Sequence, residues 1–96
     1  MKAIGVLEVD ANVAAIEALD AMLKAANVSL VTTERALGGR LVSMIVEGSV
    51  SDVKEAIAHG KLAAARLGKV AAAITINSPH EEVQKLILHS ARKLNK

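Results

Sequence analysis

The chain has 96 residues, 52% of them hydrophobic, with no cysteine, no Phe, Tyr or Trp, and a formal net charge of +2. That length suits a single core and one domain, 1–96. Without cysteine there is no disulfide framework and no thiolate metal site, and without aromatics there is no stacking platform for single-stranded nucleic acid.

The mean hydropathy of +0.37 is high for so small a domain, whose surface is large relative to its core. Apolar surface on that scale calls for cover by partner chains, so an oligomer is expected. No membrane partner is expected, because the longest apolar run, VAAAITI at 70–76, falls far short of the roughly 20 residues a spanning helix needs. The opening MKAIGVLEVD reaches Glu8 too soon for a secretory apolar core.

KAIGVLEV (2–9) reads as a buried strand, in which Gly5 marks the close approach of another backbone. A helix follows from Asn12, a plausible N-cap, with Val13, Ile16, Leu19 and Leu23 at spacings that make one apolar face. Asp20 and Lys24 stand four apart on another face, in the orientation that favours an ion pair. VSLVTTER (28–35) and LVSMIVEG (41–48) are β-branched runs on either side of a Gly-Gly loop, a pattern that predicts a hairpin.

SVSDVKEAIAHGKLAAARLG (49–68) opens with Ser49-x-x-Asp52, a capping-box-like start, and carries Val53, Ile57, Gly60, Ala64 and Leu67 at helical spacing. Gly60 inside the helix costs about 1 kcal/mol against Ala, which predicts a close helix contact there. Gly68 is a suitable stop, and KVAAAITI (69–76) is a fourth strand. In NSPHEEV, Ser78 is expected to cap a last helix, with Pro79 at its first position and Glu81 at its third. Val83, Leu86, Ile87 and Leu94 supply that helix with an apolar stripe. The order β-α-β-β-α-β predicts an α/β (α+β) ferredoxin-like split β-α-β, a four-stranded antiparallel sheet with a C-terminal helix and basic tail at 79–96.

Catalytic equipment is missing from this pattern. No His pair stands four apart for a metal, no serine sits in G-x-S-x-G, and neither phosphate-loop glycine motif occurs. The expectation is therefore no enzyme, no catalytic residue, no metal and no cofactor. What remains is ERALGGRLVSM (34–44), with two glycines between two arginines. Read from its residues alone, it is either a plain hairpin turn, with Arg35 and Arg40 solvated or paired with Glu34 or Glu47, or a loop whose exposed N–H groups line an axis or grip an anion.

AIGVLEV (3–9), DAMLKAANVSLV (20–31), LVSMIVEG (41–48), VKEAIAHGKLAAARLGKV (53–70) and PHEEVQKLI (79–87) together resemble the single-domain, hexamer-forming shell proteins of bacterial microcompartments. The resemblance implies a flat homohexamer that tiles the facets of a cytoplasmic microcompartment shell, with a central pore for metabolites. It places the pore at the loop between the second and third strands, usually a K-I-G-x-G segment. The matching stretch here is one residue longer and puts Leu37, Gly38, Gly39 and Arg40 at the axis, where the arginine favours anions.

The resemblance also assigns Lys24, Asn27, Ser78 and His80 to the hexamer edge, with Ser78 where the family commonly has an arginine. The implied partners are further copies of this chain, neighbouring hexamers, other shell proteins and encapsulated enzymes, with no nucleic acid and no membrane. The competing expectation is a small trimeric regulatory module of the same fold that binds a nucleotide or other anion at the Gly-Gly loop.

Overall fold

Among residues 2–35 and 41–94, which the computed structural model describes, the elements run β1 (Ala3–Val9), α1 (Asn12–Ala25), β2 (Ser29–Arg35), β3 (Val42–Gly48), α2 (Val50–Ala65), β4 (Val70–Ile76) and α3 (Glu81–Leu94). The strands form one antiparallel sheet in the order β2-β3-β1-β4, the split β-α-β arrangement that the order of elements predicts.

Alternation along the strands gives the sheet two unlike faces. Ala3, Leu7 and Val9 of β1 and Val42, Met44 and Val46 of β3 point into the core shared with α1 and α2. Ile4, Val6 and Glu8 point the other way, as do Ser43, Ile45 and Glu47, and α3 covers part of that second face through buried Ile87.

The core itself is built from small residues. α1 buries Ala14, Ala15, Ala18 and Met22, and Gly60 of α2 lies so close that an added Cβ would meet Met22 Cγ at 2.7 Å. The close helix contact expected at Gly60 is therefore present. Gly5 differs from expectation: the atoms at its missing Cβ are the side chains of Val53 and Ile57, at 2.7–2.8 Å, and not a backbone.

The apolar face expected for α1 is also corrected. Val13 and Ile16 are 62% and 69% exposed and Leu23 is exposed as well, while Leu19 only borders the core. A row of alanines lets α1 sit tightly against α2, and that close approach turns the larger aliphatics outward.

Helix ends follow mixed rules. Ser49 caps α2 as expected, accepting the Asp52 N–H at 3.1 Å and donating to Asp52 Oδ2 at 2.8 Å. The N-cap of α1 is Ala11, with no side-chain bond, and Asn12 is already helical. Ser78 does not cap α3. His80 does, its Nδ1 accepting the Glu82 N–H at 3.0 Å. Pro79 is buried and precedes the helix, and its carbonyl accepts from Gln84 Nε2 at 3.0 Å. Of the stripe expected on α3, Ile87 is buried but Leu86 is 71% exposed, because Ile87 and Ser90 are the positions that meet the sheet.

Candidate functional site

The strand register sorts the candidate residues to two ends of the sheet. Arg35 of β2 pairs with Val42, and Val42 with Val9, in the row that borders the Gly-Gly loop. At the opposite end Ser29 pairs with Glu47, Glu47 with Ile4, and Ile4 with Ile76. A seven-residue strand separates the two rows by roughly 20 Å. Leu37, Gly38, Gly39 and Arg40, expected at an axis, lie outside the described residues. Their flanks, Arg35 and Leu41, line a cleft of about 530 Å³ with Asp10, Asn12 and Gly68. Asp10 Oδ1 accepts the Lys69 N–H there at 2.7 Å.

The residues expected at an edge gather toward the far end. Lys24 closes α1 and Asn27 lies in the turn before β2, while Ser78 and His80 follow the end of β4. The Asn27 N–H donates to Asp52 Oδ1 at 3.4 Å, and its carbonyl oxygen lies 2.9 Å from where a Cβ on Gly48 would stand, so two connections abut there. All four edge candidates are exposed. Lys24 Nζ is 2.8 Å from Asp20 Oδ2, the ion pair expected from their spacing. The hydrogen bond and charge of Asp20 raise the Lys24 ammonium above its ordinary pKa of 10.5.

Arg35 and Glu34 do not meet as one reading of the loop allowed. Successive strand residues point to opposite faces. Arg35 and Thr33 line a groove of about 330 Å³ with Asn12, Ile16 and Leu19 of α1. Glu34 faces α3, where the Ser90 hydroxyl donates to Glu34 Oε1 and lies 3.1 Å from Thr32 Oγ1. Thr32 is the buried polar residue of the described chain, and this hydroxyl cluster holds α3 on β2. Reading the sequence missed it, although strict alternation along TTER was the signal that could have separated Glu34 from Arg35.

His59 is exposed on α2 and its Nε2 lies 3.0 Å from Glu55 Oε1. Among the described residues no three His, Asp or Glu side chains gather as a metal site would require.

Small-residue helices thus cover one face of the sheet, and the Lys24–Asp20 pair stands toward the end opposite Arg35. A profile of the BMC domain matches residues 3–79. This chain belongs to the BMC-domain family. It is 45% identical over 86 residues to the bacterial microcompartment shell protein PduA of Citrobacter freundii, a match covering 90% of this chain and 91% of PduA. It is also 45% identical over 92 residues to the shell protein EutK of Salmonella typhimurium, covering 96% of this chain but only 56% of EutK.

A crystal structure of a microcompartment protein from Desulfitobacterium hafniense superposes with a TM-score of 0.79 at 32% identity, over 94% of this chain and 48% of that one. The BMC domain thus places the chain among the structural shell proteins of bacterial microcompartments. The named relatives are shell proteins rather than enzymes. Among the described residues no helix is long and apolar enough to cross a membrane.

Proposed function

We propose that this BMC-domain chain forms cyclic homohexamers that tile the facets of a microcompartment shell, and that its Gly-Gly loop rims a central pore for small anionic metabolites. The observation that carries the proposal is the separation of the two candidate sets along the sheet. Arg35 and Leu41, which flank the loop in sequence, lie at one end, while Lys24, Asn27, Ser78 and His80 lie toward the other, roughly 20 Å away. A wedge-shaped protomer in a ring needs that polarity, with one end at the axis and the other at the rim.

The outward aliphatics of α1 supply the contact between protomers. Each large aliphatic side chain moved from water into such a contact contributes roughly 1.5–3 kcal/mol, so Val13 and Ile16 suit a covered surface. At the axis, arginines at position 40 would repel by only about 0.4 kcal/mol per pair at roughly 10 Å in water, while their summed field draws carboxylates and phosphates. At the rim, Lys24 reaches the neighbouring hexamer and exchanges Asp20 for a partner there. Ser78, lacking the donor fork of an arginine, makes that seam weaker than an arginine would. Neighbouring shell proteins and encapsulated enzymes are the partners of the assembled facet.

The test is the native mass of the purified chain. Six chains of 10.0 kDa give about 60 kDa for the hexamer, and Ile16→Asp should break it by placing an unpaired charge in the contact. A stable trimer of about 30 kDa, or a monomer, would sink the ring and leave the loop to the anion-binding regulatory reading.

A further inference from the structure

The histidines of the chain have partners of two kinds, and the kind decides what a proton does. His59 Nε2 lies 3.0 Å from Glu55 Oε1, an acceptor whose hold tightens when the imidazole becomes cationic. His89 borders the cleft beside Glu34, again a carboxylate. His80 is the opposite case. Its Nδ1 accepts the Glu82 N–H at 3.0 Å, which puts the ring proton on Nε2 and uses the lone pair of the neutral ring. An imidazolium carries hydrogens on both nitrogens and accepts nothing.

That bond stands at the entry to α3. The His80 carbonyl accepts the Gln84 N–H at 3.0 Å, and the Gln84 side chain returns to the Pro79 carbonyl. The Glu82 N–H belongs to the first-turn donors that no helical carbonyl can reach, so the imidazole supplies its partner. His80 is exposed, and protons reach it from solvent.

The charges around His80 oppose one another. On its own helix, Glu81 and Glu82 attract a cation while the N-terminal end of the helix dipole repels one, and Glu82 also pairs with Lys85 at 3.5 Å. The charged residues of β2, on which α3 packs, are Glu34 and Arg35 at the far end, where Glu34 is bonded to Ser90. On the same face of the sheet, Glu47 of β3 shares a cleft with Lys2, and Glu8 of β1 accepts from Ser43. β4 carries no ionisable side chain. Among the described residues none of these groups forms an ion pair with His80.

We propose that His80 is a proton-operated latch on α3. The neutral imidazole closes the first turn, and a proton opens it while Ser90 keeps the far half of the helix on β2. Imidazoles exchange that proton between about pH 8 and pH 5, so the cap is present at the alkaline end and lost toward acid. The latch lies within one chain and does not depend on the ring.

The experiment follows the isotope-labelled full chain by NMR between about pH 8 and about pH 5. At the alkaline end the His80 ring shifts should report the Nε2–H tautomer. Exchange of the Glu82 amide, corrected for its intrinsic pH dependence, should there be about fivefold slower than in His80→Ala, the factor that one capping bond contributes. At the acid end that advantage should vanish, while amides in the far half of α3 keep their protection. His80→Asn, whose side-chain oxygen caps without titrating, should hold the Glu82 amide equally well at both ends. The latch is overturned by an Nδ1–H tautomer at the alkaline end, or by Glu82 protection that stays constant in the wild type. A loss that persists in His80→Asn, disappears in His89→Gln or spreads along all of α3 would overturn it equally.

Discussion

The two faces of the sheet are built on different principles. The α1–α2 face is closed by alanines, Met22 and Gly60, at distances that leave no space for an added carbon. The α3 face is only partly covered, and polar bonds hold α3 there, from Ser90 to Thr32 and Glu34, together with the buried Ile87. One face fixes the protomer and the other keeps charged groups in reach of solvent.

The sharpest way to break this contrast is a matched pair of truncations. Leu7→Ala, in the dense layer, should cost about 2–5 kcal/mol in chemical denaturation, because the close-packed neighbours cannot collapse into the cavity. Ile87→Ala, under α3, should cost about 2 kcal/mol, at the low end of that range, because a helix over a partly open face can shift to fill the gap. Equal losses at the two sites would mean that α3 is packed as tightly as the core.

A smaller effect should separate polar from apolar attachment. Ser90→Ala removes the donor to Glu34 and should cost about 1 kcal/mol. Amide exchange should then quicken in α3 and at the end of β2 while α1 and α2 keep their protection. Faster exchange across the whole chain would make the serine a global element and not a local pin.

The smallest effect is electrostatic. Asp20 raises the pKa of Lys24 above 10.5, so the contribution of the pair is fully present below that value and is lost as pH rises through the raised pKa. Titration of the Lys24 ammonium by NMR should move back toward 10.5 in Asp20→Asn. An unchanged titration would mean the pair does not persist in solution.

Much of the fold was legible because it depends on local rules. The strand runs, the Ser49 cap, the Gly60 contact and the β-α-β-β-α-β order follow from alternation, capping chemistry and the bulk of single residues. The family followed from residues quoted along most of the chain, and the BMC-domain match covers 3–79. What was misjudged depends on neighbours distant in sequence. The apolar positions of α1 could be counted, but Val13, Ile16 and Leu23 offered one face and the alanines another. Only the approach of α2 chose between them. The cap of α3 likewise went to His80 and not Ser78, because Pro79 is buried and the helix begins after it.

The sequence by itself therefore determined the elements, their order and the position of the cationic loop between two strands, because each is written in spacings within about a dozen residues, and it determined the family through motifs spread along most of the chain. Tertiary structure alone decided which face of α1 is buried, that Glu34 turns to Ser90 while Arg35 turns to α1, and that Arg35 and Val42 sit at the opposite end of the sheet from Ser29 and Glu47. Those outcomes depend on register and on how closely two helices approach, and both are set by side chains that meet only after the chain has folded.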